Sequence, residues 1–141
     1  MGLRSHPEPG TVVTVDYDRG FVPPEMTKLR LAVVLTPDIK VRHKLVTVVP
    51  LSTTPPERRM PYHARIDIPF KLPKTWNARE RWIKGDMVNA VGFHRVNLLR
   101  LAKDRQGRPI YQYETLPDDI MKTVRRCVLH GLGLSDLTKH L

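Results

Sequence analysis

Histidine is the side chain that changes charge nearest neutral pH, and this chain holds six: His6, His43, His63, His94, His130 and His140. None is spaced as an HxxxH pair with a third ligand, and the acidic residues are scattered, which argues against a metal-dependent centre and predicts no cofactor. The single cysteine, Cys127, cannot close an internal disulfide, and with it go all CxxC zinc and redox motifs. A GxSxG nucleophile elbow, a Walker A loop and a GxGxxG turn are also absent. The chemistry that remains is cationic. Lys and Arg number 24 against 14 Asp and Glu, a net charge of +10, which suits a polyanionic partner.

That charge is segregated. Residues 1–39 come to −1, residues 40–65 to +5 through Lys40, Arg42, Lys44, Arg58, Arg59 and Arg65 against Glu57, and residues 71–113 to +7, whereas residues 114–141 balance. A basic middle is what a phosphate backbone would select, although solvated loop charges produce the same pattern.

The elements that must carry these groups are short. Twelve of the thirteen prolines fall before residue 114 and interrupt helical patterns there. The apolar runs between them predict six strands, Thr11 to Tyr17, Arg30 to Leu35, Leu45 to Leu51, Ala64 to Ile68, Met87 to Phe93 and Ile110 to Tyr113. Leu31-Ala32-Val33-Val34-Leu35 is apolar throughout and reads as a central strand buried on both faces. Pro50 is expected to end or bulge the third strand. Long loops are expected at residues 18–29, 52–63 and 69–85, the last holding Trp76 and Trp82, which could pin the loop to the core or stack on bases. One helix is expected after Thr115-Leu116-Pro117-Asp118. Its apolar stripe is Ile120, Val124, Cys127 and Val128, which makes Cys127 a core thiol, and it stops at Gly131. Ser135 is placed to start a last short helix.

Three segments in order, Gly10-Thr11-Val12-Val13-Thr14-Val15-Asp16-Tyr17, then Lys28 to Pro37 with Arg30 before Leu31-Ala32-Val33-Val34-Leu35, then Val48-Val49-Pro50-Leu51-Ser52-Thr53-Thr54-Pro55, resemble the MazF/PemK toxins of type II toxin–antitoxin systems. With Gly85 to Val91 and the C-terminal helix, the resemblance covers about residues 9 to 131 of a single domain spanning 1–141. It implies a mainly β fold with a C-terminal helix, a small SH3-like barrel of the MazF/PemK/CcdB type. It further implies a homodimer that cuts single-stranded RNA without metal and is silenced by a cognate acidic antitoxin.

On this resemblance the catalytic arginine falls on Arg30. The catalytic hydroxyl falls on Ser52 in place of the family's threonine, and a one-residue slip would make it Thr53, since neighbouring strand residues face opposite sides. RNA cleavage requires a deprotonated 2′-hydroxyl, a stabilised phosphorane-like transition state and a protonated 5′-oxygen. Arg30 suits the second task, being planar and permanently charged. His94 is the candidate base or acid, with His63 and Arg65 as rivals. Gly92 stands where the family often has a glutamine. Lys28, Arg58, Arg59, His63, Arg65, Lys84 and Arg95 are the candidate RNA contacts.

Two other functions fit the same fold: a CcdB-like toxin that binds gyrase without catalysis, and an RNA-binding module that does not cut. The absence of an apolar run near the roughly 18 residues of a spanning helix, and of an export-type leader in Met1 to Gly10, predicts a cytoplasmic protein with no membrane partner.

Overall fold

Short apolar runs punctuated by proline and glycine become strands in the computed structural model, which describes residues 2–141. The strands are β1 (Val12–Asp16), β2 (Leu29–Val34), β3 (Leu45–Ser52), β4 (His63–Asp67), β5 (Glu80–Lys84), β6 (Asn89–Gly92), β7 (Val96–Leu98), β8 (Arg100–Lys103) and β9 (Pro109–Tyr111). Helix α1 (Asp118–Gly131) follows, and a 3-10 turn over Ser135–His140 comes last. Seven strands pair in the order β4-β5-β3-β2-β1-β7, with β6 also on β3, and β8 and β9 form a separate hairpin. Every pairing is antiparallel. This is the expected mainly β fold with a C-terminal helix, but the barrel stays open because end strands β4 and β7 do not pair.

Strands β1 to β3 are buried on both faces, as the unbroken apolar run at Leu31 anticipates. Val12, Leu31, Val33, Val49 and Leu51 join one core cluster with Ile66, Ile83 and the inner face of α1, Met121, Val124 and Cys127. Val13, Val15, Ala32, Val34, Val46 and Val48 join the other, covered by Phe21, Met26, Met87 and Phe93. Cys127 is thus a core thiol, and burial raises its pKa to about 11.

Several expectations are corrected. Pro50 neither ends nor bulges β3, which continues to Ser52. Leu35 N–H donates to Thr47 O on the β2 side, so by antiparallel alternation the nitrogen of Pro50 faces the opposite edge. There it falls between β6, which pairs up to Val48, and β5, which begins at Leu51, so no ladder donor is required. The loop expected over residues 69–85 contains β5, and β7 and β8 were not anticipated. Gly131 is the last helical residue rather than the stop. The left-handed residue is Gly133 (φ +74°), two positions on.

Candidate active site

Strand register decides which side chains meet. Ala32 pairs with Pro50, and continuing that register two residues along both strands sets Arg30 opposite Ser52. Ser52 pairs with Trp82 on its other side, and Trp82 with Arg65. Arg30, Ser52, Trp82 and Arg65 therefore form one row across four strands on a single sheet face. In the neighbouring row on that face, Lys84 pairs with His63.

Arg30 and Ser52 line a cleft of about 240 Å³ together with Thr53, Thr75, Asn77 and Arg81. Arg30 and Ser52 are each held in place. Arg30 Nε–H donates to Thr27 O at 3.0 Å, leaving both terminal amino groups free to fork onto a phosphate. Ser52 is 6% exposed, and its Oγ accepts from Thr54 N–H at 3.1 Å, leaving its own proton to donate. Thr53 is exposed and sits just past the end of β3. It still lines the same cleft, while the strand register puts Ser52 on the face of Arg30.

Arg81 was absent from the sequence-based candidates. It is 5% exposed, with Nε–H donating to Ala78 O at 2.8 Å, Nη2 donating to Trp76 O at 3.2 Å, and its guanidinium 5.8 Å from the Trp76 ring. Burial lowers its pKa, though a guanidinium keeps its charge at neutral pH. The signal lay in the alternation of Glu80 to Lys84. Arg81 and Ile83 occupy the buried positions, and an arginine at an inward strand position asks for a partner or a ligand. Trp76 packs against the core and pins its loop.

A second, larger cleft of about 760 Å³ lies beside the first, lined by Arg59, His63, Arg65, Trp82, Thr123 and Arg126 among others. Arg59 from the proline-rich loop stands 5.6 Å over the Trp82 ring. Arg65 reaches Glu80 at 3.8 Å with both side chains mostly exposed, a weak pairing. The described residues hold only one other ion pair, Arg108 with Asp104, so the basic excess is not consumed internally.

The remaining candidates sit elsewhere. His94 lies on a 3-10 turn after β6 and lines neither cleft. Its ring fills the space a side chain at Gly92 would need, with Nδ1 2.7 Å from an ideal Cβ. Arg95 donates to Asp16 O at 3.2 Å and to Arg19 O, and stacks 4.9 Å from Phe21, strapping down the β1–β2 loop. Lys28 and Arg58 are exposed and line neither cleft, and half-buried Lys84 lines neither but lies close enough to Arg30 to feel its charge. Arg100, Lys103 and Arg108, part of the +7 segment, belong to the β8–β9 hairpin and its loop.

His63 Nδ1 accepts from Met60 N–H at 3.1 Å. Burial first, then the charges of Lys84 and Arg59, lower its pKa below the ordinary 6.5, partly opposed by Asp86. The unfolded chain therefore takes up this proton first as pH falls. His63 costs stability as pH drops below about 6.5, and the loss levels off beneath its folded-state value. An NMR titration of His63 in the free protein should show a midpoint below 6.5 that moves upward when RNA is added. A midpoint above 6.5 without RNA would contradict this environment.

Lys84 also holds its proton less firmly than usual, through burial and the charge of Arg30, with Asp86 opposing. Among the described residues no three His, Cys, Asp or Glu side chains cluster as metal ligands, and no helix is long and apolar enough to cross a membrane.

Residues 8–132 match the profile of a family described as PemK-like, MazF-like toxins of type II toxin–antitoxin systems. An uncharacterised protein of Haemophilus influenzae is 30% identical over 149 aligned positions, spanning 97% of this chain and 98% of that protein. Escherichia coli YifN, also uncharacterised, is 30% identical over 131 positions, spanning 91% of this chain and 82% of that protein. Among solved structures, MazF from Deinococcus radiodurans matches with a TM-score of 0.59 at 18% identity, covering 92% of this chain and 98% of that one. A mycobacterial endoribonuclease in complex with its cognate antitoxin matches at 0.57 and 17% identity, covering 92% and 97%. These two structures share the fold.

Proposed function

The chain belongs to the PemK-like, MazF-like toxins of type II toxin–antitoxin systems, and from that premise we propose that it is an endoribonuclease that cuts single-stranded RNA at short sequences without metal. Cleavage of cellular RNA would inhibit translation and growth, and a cognate acidic antitoxin would hold the enzyme inactive by covering the same basic surface. The observation that carries this reading is the cleft in which Arg30, Ser52 and Arg81 converge with no carboxylate in the wall. Such a site binds a phosphodiester through cations and hydroxyls rather than through a metal bridge.

In this reading the RNA 2′-oxygen attacks the adjacent phosphorus and the bond to the 5′-oxygen breaks, leaving a 2′,3′-cyclic phosphate and a 5′-hydroxyl. The free amino groups of Arg30 and Nη1 of Arg81 take the negative charge that builds on the non-bridging oxygens, and the Ser52 proton fixes the phosphate. His63 and Lys84 pair across β4 and β5 on the same face, and both have a lowered pKa. Lys84 takes the 2′-hydroxyl proton as a free amine and returns it to the 5′-oxygen as an ammonium, beside His63, whose Nδ1 is engaged by Met60 N–H. Family membership also supports a homodimer as the working unit and a cytoplasmic target.

Purified protein is expected to cleave single-stranded RNA in EDTA and to leave 2′,3′-cyclic or 3′-phosphate ends. A strict requirement for Mg²⁺ would sink the metal-free mechanism. A CcdB-like gyrase binder should depend on its C-terminal helix. Here the apolar face of α1 is buried in the core and Arg126 lines a cleft, which favours the enzyme.

A further inference from the structure

The larger cleft is not needed to hold the scissile phosphate, yet it is the more basic of the two. Three guanidiniums, Arg59, Arg65 and Arg126, line it together with His63, and no carboxylate does. They come from three separate elements: the proline-stiffened loop after β3, strand β4, and helix α1. Arg126 lies in the charge-balanced C-terminal segment, so the segmental charge gives no sign of it. At the junction of the two clefts stands Trp82, which lines the larger and pairs directly with Ser52 of the smaller. Its indole is half-buried, and the contact found on it is the guanidinium of Arg59 at 5.6 Å.

A flat aromatic surface among cations is the combination that holds a nucleotide of a single strand, the base on the indole and the phosphate on the arginines. We propose that this cleft is a nucleotide-stacking subsite, in which the base next to the cleaved bond lies on Trp82 beneath Arg59 while Arg65 and Arg126 hold the flanking phosphate. The proposal rests on the reading that Arg30 and Ser52 hold the scissile phosphate. Trp82 is two strands from Arg30 along the row, about 10 Å. That spacing places the stacked base on the nucleotide adjoining the cut rather than on a distant one. The subsite governs affinity and the choice of cutting position, whereas the Arg30 cleft governs the rate of the bond-breaking step.

Binding can be read without cleavage by using a ten-residue single-stranded DNA, which lacks the 2′-hydroxyl, in a Trp76→Phe background where Trp82 is the one remaining indole. The oligonucleotide should quench Trp82 fluorescence, and the same backbone made fully abasic should bind about tenfold more weakly with little quenching. Trp82→Ala should weaken binding of the DNA by about tenfold and raise KM for RNA by a similar factor, whereas Trp82→Phe should recover most of both. Arg126→Gln should weaken the binding of based and abasic strands alike.

Equal affinity for based and abasic strands, or a folded Trp82→Ala protein that binds as the parent does, would overturn the subsite. If Trp82→Ala fails to fold, the abasic comparison and Trp82→Phe decide. An acidic peptide that quenches Trp82 as strongly as the DNA does would replace the nucleotide with a protein ligand. Failure to cut any RNA while the DNA quenches Trp82 would instead remove the proposed nuclease activity and leave the subsite standing.

Discussion

Replacing Arg30 by alanine is expected to slow RNA cleavage by about two to three orders of magnitude, the usual consequence of deleting one preorganised donor to a developing oxyanion. The folded state should survive. Arg30 is only partly buried, and the one hydrogen bond found for its side chain is to the Thr27 carbonyl. Circular dichroism and the melting temperature of Arg30→Ala should therefore stay close to those of the parent while single-turnover cleavage collapses. Arg30→Lys should recover little, because an ammonium keeps the charge but loses the planar fork that grips two phosphate oxygens. Ser52→Ala should be milder than Arg30→Ala, since the positive charges of the cleft remain. Undiminished cleavage by folded Arg30→Ala would remove this cleft as the active site.

The second large effect is on stability and runs against helix propensity. Gly131 is helical, and in an exposed helix Gly→Ala would stabilise by roughly 1 kcal/mol. Here α1 lies backbone to backbone on the end of β5. A Cβ at residue 131 would meet the Gly85 carbonyl, coming 2.6 Å from its carbon and 2.8 Å from Asp86 N. A Cβ at Gly85 would in turn lie 2.6 Å from the Cys127 carbonyl carbon and 2.7 Å from Tyr62 O. Neither neighbour is a flexible side chain tip, so the helix must lift. Gly131→Ala is expected to destabilise by about 3 kcal/mol and to lower the melting temperature by about 10 °C.

The contrast within the same turn is Gly133. It has open space around it and only a positive φ to satisfy, so its alanine variant should cost about 1 kcal/mol. Thermal melts of the two variants side by side check the argument. A Gly131→Ala protein as stable as the parent would mean that the helix does not sit this close to β5.

The parts of the fold that were legible are those written within a few residues of themselves. The apolar runs at Val12, Leu31 and Val46 and the stripe on α1 announce their own elements, since burial of one or both faces follows from local pattern. Strand β5 was hidden because Glu80 to Lys84 carries a buried arginine where an apolar residue would be expected, in a stretch that Pro73 and Trp76 make read as loop. The same inversion concealed Arg81. His94 drew attention because an imidazole titrates near neutrality, a property of residue type alone, but its turn places it outside both clefts. Arg95 reads as a free cation in the sequence, but its guanidinium is tied to the Asp16 and Arg19 carbonyls.

By itself, the sequence determined the fold class, the family resemblance and the surplus of cations, because these depend on residue identity and on periodicity over short spans, and the resemblance singled out Arg30 and Ser52 as candidates. Tertiary structure decided which hydroxyl shares a face with Arg30 and which basic residues join it. Arg30, Ser52, Trp82 and Arg65 come from distant parts of the chain and meet only through the register of four strands. A one-residue slip in that register would exchange Ser52 for Thr53 and turn every side chain in the row to the opposite face. The register is set by backbone pairing and by burial of both core faces, interactions between segments that local pattern does not encode.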